Sequence, residues 1–343
     1  MKLERNALVE AVDKVRPGID ANSLDEHANM LLFDGDRVVT FCEAVGVSYP
    51  IETGITGGIA LDEFSKLIKK IKTKEIDVEK PGKGQVLKVT AGKTTAEFVF
   101  TTGMEIPPEP DGDWEPLPVN FEEAMKFAAI SAATDSAKGV LNYIRVSPKE
   151  IVSCDNHRLT WYPLNESDAF ENVKNGYLLI SATTAKSLAA YGIIEFIQTG
   201  PWAHFRNADE VVFSTRSVET PYPDINALLV CEGPQIEFPT GLIESLERAE
   251  ILASDTTVHQ KAVNVKVSKT GQIVVVGETA AGKITEKDKC DYTGDAVEFD
   301  ISTVFFRQIL HHVRAATVGP RSLRFDSDKF AHVVSLAIMS KPK

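Results

Sequence analysis

The chain has 343 residues, of which 43% are hydrophobic and 25% charged, and its formal net charge at pH 7 is −12. This is ordinary for a globular protein of two or three domains, and the acidic balance argues on average against a nucleic-acid partner, although one surface can still be basic. No apolar run approaches the roughly 18 residues of a membrane span, and the first ten residues, MKLERNALVE, lack the apolar core of a signal peptide.

We therefore expect a cytoplasmic protein without a membrane partner. Four scattered cysteines (Cys42, Cys154, Cys231 and Cys290) include no CxxC pair. This pattern is typical of buried thiols in a reducing compartment, and it favours neither disulfides nor a zinc site.

The first third of the chain alternates helical and extended patterns. An amphipathic helix is predicted over residues 7–15 (ALVEAVDKV), followed by strands within 37–52, a second helix over 60–72 and a strand over 94–102. Residues 104–118 (MEIPPEPDGDWEPLP) are rich in Pro, Asp and Glu and predict a connector.

The same order of elements then recurs twice. Predicted helices cover residues 121–133 and 181–192 in the second third, and 240–252 and 302–316 in the last. Strands are predicted between and after them, and a second connector covers 231–239. The interpretation is an α+β fold made of three copies of one module, at residues 1–106, 118–230 and 236–343.

The second helices of the first and last modules are candidate cationic faces. In 60–72 the apolar stripe lies opposite Lys66, Lys69 and Lys70. In 302–316 Arg307, His311 and Arg314 cluster away from an apolar side that includes Phe305, whereas the middle helix offers Lys186. A charged outer face is common on any surface helix, but two basic helices at equivalent positions in an acidic chain favour contact with phosphates.

The segment VSCDNHRLTWY (152–162) contains Asp155, His157 and Arg158, three residue types that are common in active sites. In a strand, Asp155 and His157 would point to one face and could share a ligand. No further cluster at metal-ligand spacing, no HExxH, no GxSxG and no P-loop accompanies them. Catalysis is therefore disfavoured against two alternatives. Either Asp155 caps a turn while His157 and Arg158 bond across a module junction, or the segment lines a binding pocket.

Two segments carry a resemblance to a known family. The segment SCDNHRL (153–159) resembles the Thr-Asp-Gly-His-Arg-Leu segment of bacterial-type sliding clamps, the beta subunit of DNA polymerase III, and TPYPDINALL (220–229) resembles their Phe-Pro-Asp-Tyr segment. Together with three modules, the match covers the whole chain and indicates a divergent member, of cellular or viral origin. Asn156 replaces the family's glycine and is expected to tolerate a left-handed turn, and the C-terminal VVSLAIMSKPK lacks the family's Met-Pro-Met-Arg-Leu tail.

The resemblance implies a processivity factor: a non-enzymatic ring of six modules, formed by a head-to-tail homodimer around duplex DNA without reading its sequence. It implies no cofactor and no metal, and as partners a DNA polymerase, a clamp loader and a second copy of the chain, at the replication fork of the cytoplasm. The implied DNA-facing residues are Lys66, Lys69, Lys70, Lys186, Arg307 and Arg314. The implied peptide pocket between modules 2 and 3 contains Cys154, Asn156, His157, Arg158, Leu159, Pro223 and Leu228.

Two other functions stay open at this point. A peptide-binding scaffold that forms no ring would keep the pocket and lose the DNA-facing surface. A hydrolase or nuclease would use Asp155 and His157.

Overall fold

A computed structural model describes residues 1–23, 26–79, 85–255 and 261–337. The described residues form six α-helices and 24 β-strands in an order that repeats three times: one strand, a helix, four strands, a second helix and three strands. The α+β class and the three repeated modules are therefore confirmed. The boundaries 1–106, 118–230 and 236–343 stay predictions. No helix within the described residues is both long and apolar enough to cross a membrane.

Each repeat contributes eight strands and two helices. The first consists of β1 (Lys2–Glu4), α1 (Arg5–Val15), β2 (Met30–Asp34), β3 (Arg37–Phe41), β4 (Val45–Pro50), β5 (Thr56–Ala60), α2 (Leu61–Lys70), β6 (Glu75–Glu79), β7 (Val86–Ala91) and β8 (Thr94–Val99). The second consists of β9 (Glu115–Pro116), α3 (Phe121–Ala128), β10 (Tyr143–Val146), β11 (Glu150–Cys154), β12 (Arg158–Pro163), β13 (Leu178–Ser181), α4 (Ala182–Leu188), β14 (Ile193–Thr199), β15 (Trp202–Asn207) and β16 (Val212–Arg216). The third consists of β17 (Gln235–Glu237), α5 (Leu242–Ala249), β18 (Ala262–Val267), β19 (Gln272–Thr279), β20 (Gly282–Lys289), β21 (Val297–Ser302), α6 (Thr303–Leu310), β22 (Ala315–Val318), β23 (Ser322–Asp326) and β24 (Ala331–Ser335).

Helix α2 shows how the sequence pattern produces the local structure. Phe64 and Ile68, one turn apart, are 1% and 0% exposed, whereas the lysines of the last turn face solvent. Asp62 and Glu63 lie in the first turn, where the helix dipole favours carboxylates. Arg5 donates hydrogen bonds to the carbonyls of Ile68 (3.1 Å) and Lys69 (2.9 Å), which would otherwise lack partners at the helix end.

Residues 1–123 and 165–219 contact one another extensively and form one compact unit. It contains a four-stranded sheet in the order β1-β6-β7-β8 and an eight-stranded sheet in the order β5-β2-β3-β4-β16-β15-β14-β9. Phe64 of α2 lies against Phe33 of β2 (6.3 Å between ring centroids) and Phe98 of β8 (5.5 Å), so the helix seals the core between the two sheets. The larger sheet joins the first repeat to the second through antiparallel pairing of β4 with β16.

Residues 124–164 and 220–343 form the second compact unit. It contains a sheet with the order β10-β11-β12-β24-β23-β22-β17 and a four-stranded sheet with the order β20-β19-β18-β21. Phe306 of α6 packs against Phe238 (5.1 Å), against Phe325 of the larger sheet (6.2 Å) and against Phe299 of the four-stranded sheet (6.3 Å), so α6 also lies between two sheets. Antiparallel pairing of β12 with β24 joins the second repeat to the third.

Both predicted connectors end in a short strand that precedes the first helix of the next module. β9 pairs with β14, and β17 pairs with β22. Each connector therefore supplies an outermost strand of one of the two larger sheets. The C-terminal tail singled out in the sequence falls partly at residues 338–343, which lie outside the described residues.

Candidate peptide-binding cavity and cationic helix faces

The turn between β11 and β12 contains the residues that first suggested a catalytic site. Asp155 Oδ1 accepts hydrogen bonds from the backbone N–H groups of His157 (2.7 Å) and Arg158 (2.6 Å). Its Oδ2 accepts from Arg158 Nε (3.1 Å) and Nη2 (2.9 Å). Asp155 therefore caps the turn, and both of its oxygens have structural roles. Asn156 is not among the residues with positive φ, so the expected left-handed conformation is not used.

Arg158 connects this turn to the third repeat within the second unit. Its Nη1 donates to Gln308 Oε1 (2.6 Å), and its guanidinium lies 4.1 Å from the ring centroid of Phe305. The ring of His157 stacks on the same phenylalanine at 6.0 Å. Phe305 was expected on the apolar side of its helix. Its ring instead contacts the side chains of both Arg158 and His157.

A cavity of about 660 Å³ opens beside this turn, entirely within the second unit. Its walls are the β11–β12 turn, residues within 227–232 where the chain enters the second connector, residues 320–322 and strand β24. The volume falls in the range of sites that bind small molecules or short peptide segments. Five predicted pocket residues line it: Asn156, His157, Arg158, Leu159 and Leu228.

The floor of the cavity is apolar and well packed. Leu159 is 2% exposed and belongs to a buried cluster with Val152, Cys154, Ile225 and Val333. Beneath it the Cys154 backbone N–H donates to Tyr222 Oη (3.1 Å), which also lies 3.5 Å from Cys154 Sγ. Burial raises the pKa of the Cys154 thiol, which therefore stays protonated and unreactive at neutral pH.

Two predicted pocket residues are placed elsewhere. Cys154 lies below the surface as part of the floor, and Pro223 is exposed and does not line the cavity. Sequence reasoning missed Val230, Cys231, Arg321 and Val333, which do line it. The connector at 231–239 was a usable signal for Cys231, but Val333 comes to the site only because β24 pairs with β12.

The cationic face of α2 is present as predicted from its periodicity. Lys66, Lys69 and Lys70 are all exposed, and Lys69 Nζ pairs with Asp13 of α1 at 2.5 Å. Lys66 and Lys70 make no ion pair with a described residue, and the same is true of the exposed Lys186 on α4. These three lysines therefore keep their full charge toward solvent.

The equivalent face of the third repeat differs from the prediction. Helix α6 ends at Leu310, because the chain from Ala315 onward pairs with β17 as strand β22. Arg314 therefore lies beyond the helix, 3.7 Å from Glu237. Arg307 is on the helix, but it pairs with Glu247 (3.0 Å) and Glu250 (2.6 Å), so its charge is largely neutralised.

Within the described residues, no group of three or more His, Cys, Asp or Glu side chains is placed to hold a metal ion. Burial lowers the pKa of His157, which favours the neutral ring.

Solved structures with the same architecture come from several bacteria. The DNA polymerase sliding clamp of Bacillus subtilis is 15% identical, with a TM-score of 0.84 and 98% of each chain covered. The DNA polymerase III beta chain of Streptococcus pneumoniae is 17% identical, with a TM-score of 0.84 and coverage of 98% of this chain and 99% of that one. The DNA polymerase III beta subunit of Pseudomonas aeruginosa is 16% identical, with a TM-score of 0.82 and coverage of 99% and 100%.

The chain has the fold of a DNA sliding clamp. No family model matches the sequence, and no curated protein matches it either. The structural match extends over nearly all of this chain and of each solved structure. The three repeats and their two internal junctions therefore belong to one architecture.

Proposed function

We propose that the protein is a DNA polymerase processivity factor, a ring of two chains that encircles duplex DNA and tethers replication proteins. The observation that carries the proposal is a rule of strand pairing. At both internal junctions the fourth strand of the leading repeat pairs with the eighth strand of the following repeat: β4 with β16, and β12 with β24. The same two positions are left over at the ends of the chain, as β20 and β8.

Each of these remaining strands forms one edge of a four-stranded sheet. Among the described residues β8 pairs with β7 alone, and β20 pairs with β19 alone. Bare edges invite pairing with another chain. If β20 of one chain pairs with β8 of the next and the reverse join forms as well, two head-to-tail contacts close a ring of six modules.

The side chains near the two edges are suited to contact. Val99 at the end of β8 is 81% exposed, and Ile251, which follows α5 in the third repeat, is 75% exposed. The outer face of β20 carries exposed Lys287 and Lys289, whereas the outer face of β8 carries Glu97. Apolar side chains and opposite charges at complementary edges favour the head-to-tail join over the join of two identical edges.

Solution mass tests the ring directly. We expect a dimer by light scattering at micromolar concentration, and Val99→Asp should shift it toward monomer. Val119→Asp is the matched control, because Val119 is 93% exposed but lies outside both edge strands. A wild-type protein that stays monomeric at every accessible concentration would remove the ring and leave the peptide-binding scaffold.

The proposed DNA contact rests on Lys66, Lys70 and Lys186, which are exposed and make no ion pair with a described residue. Each phosphate contact should contribute about 0.9 to the log–log salt slope of binding. Lys66→Glu with Lys70→Glu should therefore lower the slope by roughly 2 and shorten polymerase products on a circular primed template. The matched pair Arg307→Gln with Arg314→Gln should change the slope less, because Arg307 pairs with two carboxylates and Arg314 lies 3.7 Å from a third. Equal effects of the two pairs would contradict this assignment.

The proposed peptide site is the cavity of about 660 Å³ beside the β11–β12 turn. Its apolar floor and polar rim match a partner segment with apolar anchors, carried by a polymerase or by a loader. A separate ATP-driven loader is required to open the ring, because the sequence contains no P-loop. The protein would act where DNA is replicated, in a bacterial cytoplasm or in the cytoplasm of an infected host.

The nuclease alternative is weaker because Asp155 is committed to the turn through both oxygens. We expect no DNA cleavage with Mg²⁺ or Mn²⁺. Cleavage that disappears in both Asp155→Ala and His157→Ala would overturn the non-enzymatic assignment.

A further inference from the structure

A second, smaller cavity lies at the other internal junction, within the first unit. It has a volume of about 220 Å³ and is formed by β3, β4, β15, β16 and residues 107–110 of the first connector. Val39 pairs with Ser48, and Ser48 pairs with Val212, so these side chains share one face of the sheet. Phe41 and Trp202, both half-buried, lie on the same face and also line the cavity.

The interior of this cavity is uncharged at neutral pH. His204 contacts Thr199 Oγ1 through Nε2 (2.6 Å) and Ser214 Oγ through Nδ1 (2.7 Å). Burial lowers the pKa of His204 to about 4, so the ring is neutral. The guanidinium of Arg37 at the margin is balanced by Asp34 (2.7 Å) and Glu109 (3.4 Å). An apolar side chain can therefore enter without desolvating an unpaired charge.

The position of this cavity in the fold matches that of the larger one. Each lies where the fourth strand of one repeat meets the eighth strand of the next, and each is walled by the connector that joins those repeats. The backbone that forms the candidate peptide site at one junction is thus repeated at the other.

The connector places carboxylates beside this cavity. Residues 104–118 contain five carboxylates and no lysine or arginine. Of these, Glu109 lines the cavity, and Glu105 and Asp111 lie within two residues of its lining prolines, Pro107 and Pro110. All three carboxylates are exposed, whereas Asp113 and Glu115 line a different cavity. A potential of this sign attracts cationic segments and repels acidic ones.

We propose that this cavity is a second docking site, which takes a short basic peptide with one apolar side chain flanked by lysine or arginine. The volume lies below the roughly 300–1,000 Å³ of sites for drug-sized molecules, so it suits a single anchoring side chain. The proposal goes beyond the processivity function, because it concerns a different junction and does not require a closed ring.

The experiment uses a fluorescein-labelled probe peptide, Lys-Lys-Ala-Phe-Ala-Arg-Lys, and a counterpart in which glutamate replaces every basic residue. Binding to the full chain is measured by fluorescence anisotropy at low and high salt. We expect the basic probe to bind and the acidic one to bind at least tenfold more weakly. Replacing the probe's phenylalanine by alanine should also weaken binding about tenfold.

Gly46→Leu is the variant that fills the cavity. A Cβ at Gly46 would lie 3.6 Å from Phe41 Cβ and 3.8 Å from Ser214 Cβ, which are ordinary contact distances, so the backbone can accept a side chain. The variant should weaken probe binding at least tenfold. Glu105→Gln with Asp111→Asn alters two exposed residues that make no ion pair with a described residue, and it should weaken binding several-fold at low salt, even if Gly46→Leu folds poorly.

Leu228→Asp, at the larger cavity, is the matched control and should leave probe affinity unchanged. Equal affinity of the wild type and both first-junction variants would overturn the proposal. A loss of affinity in Leu228→Asp alone would overturn it too, because it would place the probe at the other junction. Failure of the ring would show separately as a monomer by light scattering.

Discussion

At the junction of β4 with β16, four side chains form a row across the sheet: Phe41, Gly46, Ser214 and His204. The corresponding row at the junction of β12 with β24 is Cys154, Leu159, Val333 and Arg324. The backbone pairing is the same in both rows. The two central positions hold Gly46 and Ser214 in the first row and Leu159 and Val333 in the second. The repeated fold thus fixes where a cavity can form, and the side chains of one row decide its size and its floor.

The connectors extend this contrast to charge. The first junction is bordered by the carboxylates of residues 104–118. At the second junction two arginines and two carboxylates line the cavity (Arg158, Arg321, Asp155 and Glu232), and Arg324 donates a hydrogen bond to the carbonyl of Leu229, just before the connector. The first cavity therefore lies beside an acidic connector, whereas the charges that line the second cavity are balanced. The two sites can differ in the partners that they repel.

The largest expected effect concerns stability at the equivalent row positions. Leu159→Ala removes a side chain from a packed cluster and should lower the free energy of unfolding by about 2–5 kcal/mol. Gly46→Ala adds a methyl group at ordinary contact distance and should change it by less than about 1 kcal/mol. Urea unfolding followed by circular dichroism measures both. Similar shifts for the two variants would show that the rows are not packed differently.

A second contrast uses the buried histidine of each junction. Burial lowers the pKa of His204 to about 4 and that of His332, on β24, to about 3. The unfolded chain, with a histidine pKa near 6.5, binds more protons in this range, so stability rises with pH there and is lost as pH falls below about 6.5. The loss from His204 is complete near pH 4, whereas that from His332 continues to near pH 3.

Each histidine should contribute a slope of about 1.4 kcal/mol per pH unit between pH 4.5 and 6. His332→Asn and His204→Asn should each reduce the measured slope by that amount, and the double variant by both. The free energy of unfolding is measured by denaturant titration at several pH values. A slope unchanged by either replacement would mean that both histidines are protonated in the folded state.

The smallest expected effect concerns partner binding at the larger cavity. Leu159 is a poor site for this test because it is 2% exposed, and a charge there would disturb folding. Leu228 is 54% exposed on the wall of the cavity, so Leu228→Asp should weaken polymerase binding about tenfold or more without changing the dimer. Surface plasmon resonance against immobilised polymerase measures it, with Val119→Asp as control. Unchanged affinity would place the partner site elsewhere.

Much of the fold could be predicted from the sequence. Helix α2 is predictable because its apolar residues Phe64 and Ile68 and its lysines follow a local period of 3.6 residues, and that period is visible without any tertiary information. The turn at Asp155 was also accessible, since Asp followed by a strand is a local hydrogen-bonding pattern. Helix α6 was predicted too long because strand pairing from Ala315 onward overrides the helical periodicity of the segment.

The sequence by itself determined the three repeats, their helices and the turn beside the larger cavity, because each depends on residues close together in the chain. Only the tertiary structure decided that β12 pairs with β24, bringing Thr160 within 2.9 Å of His332, 172 positions away. It also decided that carboxylates pair with Arg307, whereas Lys66 and Lys70 have no ion-pair partner among the described residues. Contacts of this kind depend on which strand edges meet and which side chains then face each other, and no local pattern of residues encodes that choice.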